Sequence, residues 1–128
     1  MQRILIVDDN PDILQVMQLL LGSRGYNIEV TTKGEETFSL VNSFQPDLIF
    51  LDIHLSGIDG RDISRQLKTD EVTKYIPIIL FSANIIKGST LAESLADEFI
   101  SKPFDIHELF LKVNKLISTA DNSESMIA

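Results

Sequence analysis

The strongest constraint on this chain is an alternation: five short apolar runs, each followed by a longer segment of helical period. Arg3–Val7 (RILIV), Asn27–Thr31 (NIEVT), Asp47–Leu51 (DLIFL), Ile76–Phe81 (IPIILF) and Glu98–Ser101 (EFIS) read as strands. The second is the most polar and suits a sheet edge, whereas the third is apolar enough to be buried on both faces. After the first strand, Asn10 is a good N-cap, Pro11 suits the first helical position, and Ile13, Met17, Leu20 and Leu21 form one stripe. A second helix runs from Gly34 to Phe44 with Phe38, Val41 and, less regularly, Leu40 turned inward. The loop His54–Gly60 leads into a third helix from Arg61 to Lys68, and a fourth begins between Lys87 and Leu91. The last helix, Asp105–Ile117, opens on a capping-box pair, Asp105 and Glu108, and aligns Ile106, Leu109, Phe110, Val113, Leu116 and Ile117 on one face. Strand–helix units in this order predict an α/β fold, a doubly wound five-stranded parallel sheet with helices on both faces. The expected domain is 1–118, with 119–128 a polar, disordered tail.

That domain fits 128 residues, a length at which folding buries roughly two-thirds of the unfolded surface without disulfide or structural metal. The chain has no cysteine, which removes thiolate metal sites, cysteine nucleophiles and redox motifs. A net charge of −8 repels nucleic-acid backbones and anionic membranes, and no basic patch opposes it. No apolar stretch approaches the ~18 residues of a membrane span, and Ile4–Val7 is too short for a signal peptide. The expectation is a cytoplasmic protein with no direct nucleic-acid or membrane partner.

Doubly wound sheets bind ligands beyond the carboxyl ends of their strands, where the strand order reverses. The first strand ends in Asp8-Asp9, the third in Asp52, the fourth in Ser82 and the fifth in Lys102-Pro103. If the order is 2-1-3-4-5, the first and third strands are neighbours, and Asp8, Asp9 and Asp52 converge. Each residue alone has a plainer reading: helix capping for Asp8-Asp9, a turn for Asp52, a surface lysine for Lys102. Their shared address favours function. Two carboxylates ~4 Å apart repel by ~4 kcal/mol at an effective dielectric of 20, so three require a counter-charge. Lys102 leaves two negative charges, which one divalent cation closes; hard oxygen donors point to Mg²⁺, with Mn²⁺ as a substitute. Ser82 can donate to a phosphoryl oxygen and Lys102 can neutralise another.

The segments ILIVDDNPDI, LIFLDIHLSGIDG, IPIILFSA and FISKPF, in this order, resemble the receiver domain of two-component response regulators from about Arg3 to Ile117. The resemblance implies the flavodoxin-like order 2-1-3-4-5. It implies that Asp52 accepts a phosphoryl group from a histidine kinase or histidine phosphotransfer protein, with no further enzymatic role beyond this self-phosphorylation and autodephosphorylation. Asp9, Asp52 and the backbone carbonyl of His54 would ligate Mg²⁺, with Asp8 acting mainly through water. Ser82 would bond the phosphoryl group, Lys102 would ion-pair with it, and Lys102–Pro103 would be a cis peptide. Ser82 and Phe99 would form the switch that alters the face of the fourth helix, fifth strand and last helix. That face would engage an unidentified downstream protein, the chain being a monomer or a phosphorylation-dependent dimer.

Departures from the family pattern carry their own expectations. Ser56 replaces the usual proline, which predicts a looser loop after the acceptor. Leu95 replaces the glycine that usually ends the fourth helix, and Ser82 to Lys102 spans twenty residues, two fewer than is usual. His54 and Asn84 flank the phosphoryl position and are expected to tune its lifetime. Phe99 lacks the hydroxyl of the commoner tyrosine. Ile85 and Ile86 suit either the core or a partner contact. Two other functions are compatible with such a chain: a phosphorylation-independent pseudo-receiver, and a small Mg²⁺-dependent phosphohydrolase. The adjacent acids, the acceptor after the third strand and the lack of a cap insertion disfavour the phosphohydrolase.

Overall fold

The computed structural model describes residues 2–83 and 92–127, with side chains up to residue 117. Five strands build one parallel sheet: β1 (Arg3–Val7), β2 (Asn27–Thr31), β3 (Leu48–Asp52), β4 (Ile78–Ser82) and β5 (Glu98–Ser101). Their spatial order is β2-β1-β3-β4-β5, so the polar β2 does lie at an edge and the order reverses between β1 and β3. In register, Val7 lies beside Leu51 and Asp52 beside Phe81, which levels the carboxyl ends of the three central strands.

Two apolar clusters cover the faces of the sheet. One joins Ile4, Ile6, Phe50 and Phe81 to helix α1 (Pro11–Gly22) and the C-terminal helix (Ile106–Ile127). The other joins Leu5, Val7, Ile49, Leu51 and Leu80 to helices α2 (Thr37–Phe44) and α3 (Gly60–Thr69). Phe50 and Phe81 meet edge to face across β3 and β4, with ring centroids 6.0 Å apart, within the range of favourable aromatic pairs. At α1 the Asn10 side chain accepts from Asp12 N at 2.9 Å, with Pro11 opening the helix.

Helical stripes differ from expectation in detail. In α1 the buried residues are Leu14, Met17 and Leu21, with Ile13 and Leu20 only half-buried. The segment from Gly34 begins as a short 3₁₀ turn, Gly34–Glu36, with Gly34 buried beneath Leu55 and Ile58. The helix proper then buries Thr37 and Val41 and leaves Phe38 exposed. In the C-terminal helix Leu109, Val113 and Ile117 are buried, but Ile106 at its first turn is half exposed. This helix continues to Ile127, past the end predicted at Ile117, since residues 118–127 contain no glycine or proline to stop it. Among the described residues no helix is long and apolar enough to cross a membrane. Asn84, Ile85, Ile86 and the predicted start of the fourth helix lie outside the described residues.

Leu95 has φ +61°, the left-handed conformation that glycine adopts freely and other L-residues enter at a cost of ~1–2 kcal/mol. Side chains of α3 secure the backbone just before it: buried Ser64 Oγ donates to Ser94 O at 2.9 Å and Arg65 Nε to Glu93 O at 2.8 Å. A paired comparison isolates the strain. Leu95→Ala and Leu95→Gly both lose the exposed isobutyl group, but only glycine relieves the backbone. The glycine variant is expected to be more stable than the alanine variant by ~1 kcal/mol, the reverse of their usual helical ranking. Paired denaturation curves read this directly, and an alanine variant equal to or above the glycine variant would remove the strain argument.

Candidate metal and phosphate site

The site grows out of the strand ends. Asp8 N donates to Thr31 O at 3.2 Å, extending the ladder one residue past β1 and keeping Asp8 fully buried, while Asp9 turns out to solvent. Across the switch point Asp52 closes β3 and is 3% exposed. On the other side Lys102 N donates to Ser82 O at 2.8 Å, which extends the β4–β5 ladder and returns Lys102 to the same edge. The Lys102–Pro103 peptide is cis.

Lys102 Nζ lies 2.6 Å from Asp8 Oδ2 and 3.1 Å from Asp52 Oδ2, and 4.8 Å from the centroid of the Phe81 ring. The second oxygens are held by backbone: Asn10 N donates to Asp8 Oδ1 at 2.8 Å and His54 N to Asp52 Oδ1 at 3.2 Å. Burial pushes the Asp8 carboxyl above its ordinary value, against the hydrogen bonds from Lys102 and Asn10 that lower it. For Lys102, burial pulls downward, but the hydrogen bond to Asp8 and the charges of Asp8 and Asp52 outweigh it and raise the ammonium.

Asp8, Asp9 and Asp52 each offer an oxygen within 4.8 Å of the others. Oxygens around one Mg²⁺ at ~2.1 Å stand ~3–4 Å apart, so the three carboxylates fit a single hard cation with small adjustment. Among the described residues one lysine, Lys102, stands among the three acids, which leaves the charge such an ion would balance.

Of the remaining predicted residues, Ser82 is buried at the end of β4, and the His54 side chain is exposed two residues past Asp52. Phe99 is half-buried on β5, opposite Leu80, and its carbonyl accepts from Lys112 Nζ. The loop after Asp52 is tighter than predicted. His54–Leu55 and Ile58–Asp59 pair antiparallel around a two-residue turn, with Ser56 at φ +25° and Gly57 at φ +85°. Positive φ at both central residues is the mark of a primed hairpin turn, and proline, fixed near −65°, could not occupy this Ser56 conformation.

Three contributors escaped the sequence. Gly60 opens α3 directly on the acceptor: its N donates to Ile53 O at 2.8 Å, and a Cβ there would stand 2.0 Å from Asp52 O. Asp59 caps α3 through Arg61 N at 2.9 Å, and the guanidinium of Arg61 grips the same carboxylate and holds it below the usual carboxylate range. Ser56 Oγ donates to Asp9 Oδ2 at 3.4 Å.

A doubly wound parallel sheet carrying three acids and a lysine at its switch point belongs to the class of α/β domains that bind ligands beyond the carboxyl ends of their strands. Comparison makes this specific. Residues 4–114 match the family described as response regulator receiver domain, and the chain belongs to it. The chain is 35% identical over 94% of its length to the DNA-binding dual master transcriptional regulator RpaA of Synechocystis, matching 51% of that protein. The chain thus spans about half the length of the curated relatives it matches. Among solved structures, the receiver domain of a signal transduction histidine kinase from Syntrophus aciditrophicus is 31% identical with TM-score 0.83, covering 93% of this chain and 92% of that one. The receiver domain of the sensor histidine kinase PA1611 from Pseudomonas aeruginosa is 28% identical with TM-score 0.82, covering 91% and 98%; it holds a magnesium ion in its active-site cleft.

Proposed function

We propose that this receiver domain accepts a phosphoryl group on Asp52 from the phosphohistidine of a histidine kinase or phosphotransfer protein. The carrying observation is the placement of Asp52: a nearly buried carboxylate with one oxygen on His54 N and the other on Lys102, inside a cluster of acids spaced for one cation. In the transfer, an Asp52 carboxylate oxygen forms a bond to phosphorus as the phosphorus–nitrogen bond breaks. The bonding pair returns to the imidazole nitrogen, which takes up a proton. Little covalent help is needed; positioning and charge stabilisation supply most of the rate.

Asp8, Asp9 and Asp52, with the backbone carbonyl of His54, would hold Mg²⁺, Asp8 acting mainly through water. When bound, the ion neutralises charge on the transferred phosphoryl oxygens. Lys102, placed between Asp8 and Asp52, would follow the new charge on Asp52. Ser82 would donate its hydroxyl to a phosphoryl oxygen and Phe99 would move into the space it leaves, shifting a packing equilibrium. The surface affected is formed by the segment before β5, β5 itself and the C-terminal helix, and a downstream protein or a second copy would read it. Incubation with acetyl phosphate tests the reading: one phosphoryl group is expected on the intact protein with Mg²⁺ and none in excess chelator. Equal labelling in both would overturn the metal-assisted acceptor.

A further inference from the structure

We infer that Ser56 is a positioning residue for the cation site, acting through Asp9; this deepens the acceptor reading and rests on it. The three acids are not held alike. Asp8 is buried between Lys102 and Asn10 N, and Asp52 between Lys102 and His54 N. Asp9 is exposed, and among the described residues the Ser56 hydroxyl is the hydrogen-bond donor that reaches it. An exposed carboxylate that rotates freely loses rotamer entropy when it binds an ion, so a group that holds it in place favours binding. Partners behind metal ligands set ligand orientation and commonly change affinity by ~10–100-fold when removed. A long, solvent-exposed bond such as this one belongs at or below the low end of that range.

The backbone of the hairpin decides whether the tether can exist. Leu55 pairs with Ile58, the turn is closed by Ser56 and Gly57 alone, and both have positive φ. That conformation holds the Ser56 side chain over the cleft, of about 330 Å³, that Asp9, His54 and Asp59 also line. A hydroxyl therefore stands at a turn position whose backbone conformation proline could not adopt. Structural and positioning roles can be separated here, because the residues that suit this turn differ in whether they carry a donor. Asparagine and glycine both tolerate the positive φ. Of the two, only asparagine carries a side-chain donor that can reach a carboxylate.

Calorimetric titration of the full chain with Mg²⁺ and, separately, Mn²⁺ tests the inference, with melting temperatures recorded in chelator. Ser56→Gly is expected to weaken cation binding by about threefold to tenfold while its cation-free melting temperature stays within ~3 °C of the parent. Ser56→Asn is expected to retain affinity within ~twofold. Unchanged affinity in Ser56→Gly would overturn the positioning role. So would a loss of affinity and cation-free stability together in both variants, since that marks a purely structural turn. Failure of the parent chain to bind either cation would instead remove the acceptor reading beneath it, so the two failures are distinguishable.

Discussion

Replacing Gly60 with alanine is expected to destabilise the domain by roughly 3 kcal/mol, lowering its melting temperature by ~10 °C, and to suppress phosphoryl uptake with it. The reason is steric. A Cβ at this position would lie 2.0 Å from Asp52 O, 2.9 Å from Asp52 C and 3.1 Å from Ile53 Cα, all backbone atoms that no rotamer change can move. Alanine's better helix propensity returns at most ~1 kcal/mol. The helix must therefore slide away from β3, or the Asp52–Ile53 peptide must shift. Either movement weakens the bond from Gly60 N to Ile53 O and relocates the carboxylate that Lys102 and His54 N hold. Thermal denaturation and acetyl phosphate labelling should fall together. A variant that melts like the parent would show that α3 can give way freely, contrary to the packing described.

Lys102→Ala is the second large effect, and it should depend on the cation. The substitution removes the one lysine between Asp8, 0% exposed at its side chain, and Asp52, 5% exposed. Leaving buried charges without their partner costs ~3–5 kcal/mol, so the cation-free protein should lose at least ~10 °C of melting temperature. Mg²⁺ binds only the folded cluster and so should recover a larger part of stability in the variant than in the parent. Acid should act in the same direction. Burial has already raised the folded Asp8 carboxyl, so stability relative to the unfolded chain increases as pH falls through that folded value. Losing Lys102 removes a hydrogen bond and a charge that lower the Asp8 carboxyl, so that carboxyl should rise further in the variant and the deficit should shrink on acidification. An equal deficit with and without Mg²⁺ would mean that Lys102 does not act by balancing the charge of Asp8 and Asp52, contrary to its placement between them.

The parallel sheet and the address of the acids were legible because both follow from period and from strand ends, whereas the order 2-1-3-4-5 rested on the resemblance to receiver domains. Short β-branched runs leave few alternatives to a parallel sheet, and a polar residue directly after such a run must sit at its carboxyl edge. Asp8, Asp9, Asp52, Ser82 and Lys102 were placed by that rule alone. Which of two adjacent acids points inward was not legible: Asp8 is buried because one further ladder bond, to Thr31 O, keeps it in the sheet's line. Phe38 and Ile106 look like core by periodicity, but among the described residues they are only about half covered, and apolar character alone cannot report that. The turn after Asp52 misled for a local reason. Absence of proline suggested freedom, whereas serine and glycine together reach a pair of positive φ values that proline forbids. Gly60 and Ser56 act through atoms brought near by the fold, and no spacing in the sequence records such distances.

The central claim is that Asp52 receives the phosphoryl group, and mapping the labelled residue tests it most directly. The chain and Asp52→Asn would be incubated with acetyl phosphate and Mg²⁺, then examined by intact mass and by peptide mapping after reduction of the acyl phosphate with borohydride. One phosphoryl group is expected on the parent chain, located at Asp52, and none on Asp52→Asn, which should remain folded. Labelling of Asp52→Asn at the parental level, or a parental label mapped to Asp8 or Asp9, would contradict it.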